Sequence, residues 1–258
     1  MTTADNQSWA KFVTAFRDPA QALAQPWADL FGPLRGADGA MVIGQIGQSL
    51  DGRIATENGH SHYINGPAGI LHLHRLRSLV DAVVIGVGTA IADNPQLTVR
   101  QCEGPQPARV VLDPKGRLTA CAKVFGGDGV RRLLVMAENT LCIPPDGVDV
   151  VALPAPDGRI APHDVLAALA ARGLRRILIE GGAETVSRFL TAGCLDRLHV
   201  MIAPMILGSG RPGFVLPPIE RCDQALRPPM RTFNLDSDTL FDIDLSAQRL
   251  PGRANIST

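Results

Sequence analysis

From Met41 onward, short β-branched apolar runs alternate with stretches of helical period, and that alternation most narrows what this chain can fold into. The apolar runs fall at Met41–Gln48, Ala82–Ile85, Arg109–Leu112, Arg132–Met136, Val148–Leu153, Arg175–Ile179 and Leu198–Ala203. Helical patterns occupy Pro67–Leu79, Pro162–Arg172 and Ala183–Ala192. Strands that stay apolar at successive positions must be covered on both faces, which in an alternating chain means a mostly parallel sheet between two layers of helices. Two later runs, Arg231–Leu235 and Thr239–Leu245, read as an antiparallel C-terminal pair on the same mixed sheet. The expected fold class is α/β.

Residues before Met41 follow a different pattern. Trp9, Phe12, Val13 and Phe16 repeat at i, i+3, i+4 and i+7, one stripe of an amphipathic helix that Pro19 ends. The expected organisation is a helical extension over 1–40, one catalytic-sized domain over 41–246 and a short tail over 247–258. The extension reads as an arm packed on its own domain or on a partner subunit.

Charge and cysteine usage limit the function classes. The 25 Lys and Arg balance 25 Asp and Glu, so no net field draws in a nucleic acid. The five cysteines are odd in number and form no C-x-x-C pair, which reads as reduced thiols in a cytoplasmic protein. His60/His62 and His72/His74 lack a second ligand cluster nearby, so no metal is expected. No apolar run approaches the roughly 20 residues a membrane span needs, and the N-terminus has no secretory-signal pattern. No membrane partner is expected either.

Three segments carry candidate chemistry. In the first, a buried run ending at Glu180 meets Gly181-Gly182 and opens at once into a helix through Ala183, Glu184 and Thr185. Free N–H groups at a helix start attract phosphate, and glycines let a ligand approach the backbone. Glu180 stands at the carboxyl edge of a parallel sheet, where α/β proteins bind ligands; alone it also reads as a solvated strand-end carboxylate, and Glu184 as an ordinary helix-start charge. In the second, Gly86-x-Gly88 follows a strand, with Asp113 closing the next. Ile91 occupies the third glycine position of the dinucleotide fingerprint, so that fingerprint is rejected and the loop is kept as a phosphate or ribose contact. In the third, Ser49-Leu-Asp-Gly52 is a turn after a strand, and Arg75, Arg77 and Arg100 beyond it are candidate anion ligands.

Taken together, these segments resemble the reductase half of the bifunctional riboflavin-biosynthesis deaminase/reductase, a dihydrofolate-reductase-like three-layer fold that uses NADPH. The resemblance rests on Ser49-Leu-Asp-Gly-Arg-Ile-Ala55, Leu76-Arg77, Asp81-Ala82, Val84-Ile-Gly-Val-Gly-Thr89, Ala92-Asp-Asn-Pro95 with Leu97 and Arg100, Ile179-Glu-Gly-Gly182, Ile202-Ala-Pro204 and Leu207-Gly208, in the family's order. It implies cofactor contacts at Gly47, Tyr63, Thr89, Asp93 and the run Gly181, Gly182, Ala183, Glu184 and Thr185. It implies contacts to a phosphoribosylamino-pyrimidine at Ser61, Arg77, Leu97, Arg100 and Glu180, with Glu180 and Asp51 as candidate catalytic acids. It also implies reduction of a ribosylamino to a ribitylamino group, and a homodimer formed through the C-terminal strands. Lys115, Arg117 and Arg188 are candidate partners for a cofactor 2′-phosphate.

Two departures stand out. Gln45, neutral, replaces a lysine of the bifunctional enzymes, and the H-x-E and P-C-x-x-C signatures of a zinc-dependent base deaminase are missing. Gln45 leaves two alternatives open: a reductase of another pterin, folate or pyrimidine-like heterocycle, and a nucleotide-binding module without catalysis.

Overall fold

The computed structural model describes residues 3–36, 38–62 and 64–249. A nine-stranded sheet organises them. Its strands are β1 (Met41–Ser49), β3 (Ala82–Gly86), β4 (Ala108–Leu112), β5 (Arg132–Ala137), β6 (Asp149–Leu153), β7 (Arg176–Glu180), β8 (Arg197–Ala203), β10 (Met230–Leu235) and β11 (Asp238–Asp244). They run in the order β10-β11-β8-β1-β7-β3-β4-β5-β6, and β2 (Arg53–Thr56) pairs with β9 (Gly210–Pro212) in a separate two-stranded ribbon. Every neighbouring pair from β8 across to β6 is parallel, while β11 lies antiparallel to both β8 and β10. The seven parallel strands and the C-terminal pair match the expectation from sequence within a residue or so at each end.

Two apolar cores sandwich the sheet. Residues of one parity (Ile43, Val83, Ile85, Leu178 and Met201) meet α3 (Pro67–Leu79) and the N-terminal helices α1 (Thr3–Arg17) and α2 (Trp27–Phe31). Residues of the other parity (Val42, Val84, Ile177, Ile179 and Val200) meet α5 (Pro162–Ala170) and α6 (Ala183–Thr191). This is the alternation of a pleated strand buried on both sides.

The arm belongs to the first core. Trp9, Phe12, Phe16 and Phe31 are buried in one aromatic cluster against α3. Removing each such ring from water contributes about 1.5–3 kcal/mol. Arg75 of α3 stacks over Trp27 at 4.0 Å, and Phe31 stacks on His72 at 5.3 Å. The arm therefore braces the helix that carries Arg77.

Two features escaped the sequence reading. Val87–Asp93 forms a helix, α4, where a loop was expected, and the β2–β9 ribbon pairs segments more than 150 residues apart. Among the described residues no helix is long and apolar enough to cross a membrane, and no cluster of His, Cys, Asp and Glu is arranged to hold a metal ion.

Candidate active site

The carboxyl ends of β1, β7 and β3 converge on one edge of the sheet. Glu180 closes β7 and lies in register with Gln45 of β1. Both side chains share the face of Ile43 and Leu178, which α3 covers. Glu180 is only 8% exposed, and its charge is met by Arg77 from α3. Arg77 donates from Nε to Oε2 at 2.9 Å and from Nη2 to Oε1, and its Nη1 donates to the Thr98 carbonyl at 3.0 Å. All three nitrogens of the guanidinium are thus engaged within the protein. These bonds tie Glu180 and the Thr98 backbone to α3 through Arg77, the residue for which the resemblance implies a substrate contact.

Two cavities meet beside Glu180. The larger, about 580 Å³, runs along Gly86, Gly88, Pro114 and Arg117 and across the start of α6 from Gly182 to Thr185, with Arg188 and Arg211 on its walls. The smaller, about 330 Å³, is bounded by Gln45, Gly47, Asn65, Leu97, Glu180 and Met201. Ile54, Ser61, Thr89, Asp93 and Gly182 line both, so they mark the junction. Burial raises the Asp93 carboxyl above its ordinary range, against the opposing pull of His62 and Arg211.

The larger cavity has the features a dinucleotide needs. Gly182 precedes α6 at φ +67°, and a Cβ there would stand 2.5 Å from Thr89 Oγ1. At Gly86 a Cβ would overlap Thr185 Oγ1, whereas Gly88 faces open space. Backbone N–H groups at the start of α6 and the three arginines supply donors and positive charge for phosphates. Ala183 is buried and Thr185 borders the cavity, while Glu184 is exposed on its wall. These residues fit a nicotinamide dinucleotide.

Other sequence-predicted positions divide. Ser61, Thr89 and Asp93 come together at the junction, and Gly47 and Leu97 line the smaller cavity. Leu97 is buried at φ +55°, a left-handed conformation that costs a non-glycine residue about 1–3 kcal/mol and is held by its surroundings. Arg100 is exposed; its guanidinium donates to Gln96 Oε1 and Thr98 Oγ1, and its backbone N–H donates to His74 Nδ1 at 3.1 Å. Tyr63 lies outside the described residues.

Asp51 lies apart from both cavities. Its carboxylate accepts from Ser49 Oγ at 2.5 Å, Leu207 N–H at 3.1 Å and Gly208 N–H at 2.7 Å, which hold it at about 2. It ties the Ser49–Gly52 turn to the Leu207–Gly208 backbone. Asp113 similarly braces its own turn by accepting from the Leu118 N–H at 2.8 Å. Of the three cations considered for a 2′-phosphate, Arg117 and Arg188 line the larger cavity and Lys115 does not.

Arg211 and Asn65 were missed. Arg211 arrives through the long-range β2–β9 pairing, which leaves no local pattern. Asn65 precedes α3 in a segment whose only signal was the turn-forming Asn-Gly dipeptide, Asn65-Gly66.

Comparison with known proteins agrees with this geometry. A curated 2,5-diamino-6-ribosylamino-4(3H)-pyrimidinone 5′-phosphate reductase from Methanothermobacter thermautotrophicus is 33% identical over 215 residues, covering 78% of this chain and 96% of that one. The riboflavin biosynthesis protein RibD of Bacillus amyloliquefaciens is 35% identical over 166 residues, which is 62% of this chain but 44% of the relative. The chain therefore spans nearly all of the first relative and less than half of the second. Among solved structures, RibD of Acinetobacter baumannii superposes with a TM-score of 0.69 at 28% identity, covering 84% of this chain and 62% of that one. A Thermotoga maritima deaminase/5-amino-6-(5-phosphoribosylamino)uracil reductase gives 0.66 at 27% identity, with 80% and 56% covered. The family model described as the RibD C-terminal domain matches residues 40–234. A strand-end acid held by an α3 arginine beside a glycine-cradled cavity thus comes with a match over three-quarters of the chain, and the protein belongs to the RibD C-terminal domain family.

Proposed function

We propose that this protein is an NADPH-dependent reductase that converts the ribosyl group of a ribosylamino-pyrimidine 5′-phosphate to ribityl. One observation carries the reading: the buried Glu180 stands beside the junction of a dinucleotide-sized cavity and a smaller one. The cofactor would lie along Gly86, Gly88, Thr89 and Gly182 to Thr185, with its phosphates near Arg117, Arg188 and Arg211. When bound, a reduced nicotinamide supplies a hydride.

The protein's own groups do the rest. As the C1′–O4′ bond of the ribosylamine breaks, O4′ takes up a proton and the lone pair of the exocyclic nitrogen forms a C1′=N iminium, whose positive charge the Glu180 carboxyl group faces. Hydride adds at C1′, the C=N π electrons settle on nitrogen, and the ribitylamine results. Asp93, whose carboxyl holds its proton more readily than usual, is the junction residue best suited to move a proton. Thr89, Ile54 and Gly182 line the junction where the reacting carbon would sit. The pyrimidinone 5′-phosphate named for the Methanothermobacter relative and the phosphoribosylamino-uracil named for the Thermotoga structure support this substrate class.

The test is direct. Purified protein mixed with NADPH and either 2,5-diamino-6-ribosylamino-4(3H)-pyrimidinone 5′-phosphate or 5-amino-6-(5-phosphoribosylamino)uracil should oxidise NADPH and yield the ribityl product. Turnover with dihydrofolate alone would move the assignment to another heterocycle. Saturable NADPH binding without turnover on any of these would make the protein a nucleotide-binding module. The proposal includes a homodimer through the outer strand β10, whose Met230 is exposed; a monomer by light scattering would remove that part.

A further inference from the structure

Resting on the function just proposed, we infer that Asn65 and Gln45 form a paired-carboxamide site that reads the edge of the substrate's pyrimidine. Gln45 and position 47 lie two residues apart on one face of β1, about 7 Å along the strand. Position 47 is glycine, and a Cβ there would overlap Asn65 Oδ1. The missing side chain lets the Asn65 amide lie against β1, on the wall of the same cavity that Gln45 lines. The neighbouring chain fixes it there. The Gly66 N–H donates to Asp238 Oδ2 at 2.9 Å, and a Cβ at Gly69 would meet the Asn65 Cβ at 3.3 Å.

Neither amide is hydrogen-bonded to another described residue. Asn65 Nδ2 is buried with no hydrogen-bond acceptor among the described residues. Gln45 is 4% exposed, and no hydrogen bond joins its amide to another described side chain. A buried donor left unmade is costly, and native proteins retain one where a ligand completes it. The adjoining wall is apolar, formed by Ile70, Leu73 and Met201. An apolar wall with two neutral amides suits a flat, uncharged heterocycle that offers adjacent acceptors and donors. It does not suit a phosphate, which needs cations. An amino-oxo pyrimidine has such an edge. Gln45 brings a neutral hydrogen-bonding group, not a cation, to this end of the cavity.

Steady-state kinetics with both pyrimidine substrates decide the matter. Asn65→Ala should raise KM about tenfold, the loss of one buried hydrogen bond, while kcat falls less than threefold. The Kd for NADPH and the inhibition constant of ribose 5-phosphate, which has no base, should stay within twofold and also report that the variant is folded. Gly47→Ala should raise KM similarly by displacing the Asn65 amide, and adding it to Asn65→Ala should bring little further loss. An unchanged KM in Asn65→Ala overturns the inference. So does a parallel rise in the NADPH or ribose 5-phosphate constant, which would place the amide on the cofactor or the sugar. If the unaltered protein neither binds nor reduces either pyrimidine, the functional reading itself fails before any variant is made, and this inference falls with it.

Discussion

Arg77 and Glu180 stand 103 residues apart in sequence, yet the guanidinium of one grips both carboxylate oxygens of the other in the interior of the protein. The pair joins α3 to the end of β7 and fixes the acid at the junction of the two cavities. Burial makes it vulnerable. Arg77→Ala leaves an uncompensated carboxylate inside the fold, and the expected loss is about 3–5 kcal/mol of unfolding free energy. Urea unfolding of Arg77→Ala beside an Arg77→Met/Glu180→Leu double variant checks this. The double variant should recover most of the loss, and equal losses in both would show that the pair is not the cause.

Glu180→Gln keeps the shape and removes the charge. Turnover should fall by about 10²-fold or more, while the calorimetric affinity for NADPH stays within about twofold. A collapse of NADPH affinity would mean that the carboxylate serves the cofactor and not the reacting carbon.

Gly182→Ala meets two obstacles: a φ of +67° and Thr89 Oγ1 at 2.5 Å from the new Cβ. The left-handed conformation alone costs an alanine about 1–2 kcal/mol. NADPH affinity should fall about tenfold in a fluorescence titration, with the far-ultraviolet circular dichroism spectrum intact. Adding Thr89→Ser should restore little, because the Oγ that obstructs the Cβ remains.

The cations of the larger cavity predict cofactor preference. Arg117→Ala should weaken NADPH about tenfold and NADH hardly at all, since only NADPH carries a 2′-phosphate for a charged contact. The NADPH advantage should also shrink between low and high salt. Equal affinities for the two cofactors in the unaltered protein would remove Arg117, Arg188 and Arg211 from this role.

Acid should destabilise the protein as the pH falls below about 6.5. Burial holds His72 far below the ordinary imidazole range, and burial together with the charges of Arg77 and Arg100 brings His74 down to about 4. Their folded values lie below the unfolded one, so between pH 6.5 and about 4 the unfolded chain binds more protons and stability declines as pH falls. The slope approaches about 1.4 kcal/mol per pH unit for each histidine. Unfolding midpoints at pH 7.5, 6 and 5 measure it, and His74→Gln should flatten the curve. A flat profile in the unaltered protein would show that neither histidine is held neutral.

What was legible in the sequence was local. The seven parallel strands, the C-terminal pair, α3, α5, α6 and the stripe of Trp9, Phe12 and Phe16 follow from apolar periodicity, which reports how a segment faces a core whatever that core is made of. The turn from Glu180 through Gly181-Gly182 into α6 was equally plain, because glycine at a helix start has a conformational meaning of its own. Tertiary structure decided which partner each polar group would find. Arg77 turned inward to Glu180 because α3 lies across the end of β7. Asp51 became a tie for the Leu207–Gly208 backbone, and Arg211 reached the larger cavity only because β9 pairs with β2 across the chain. Asn65 found its seat only because Gly47, on a separate strand, has no side chain. A charge or an amide has the same local signature whether it meets water, a neighbour or a ligand, and only the packing of distant segments settles which of these it meets.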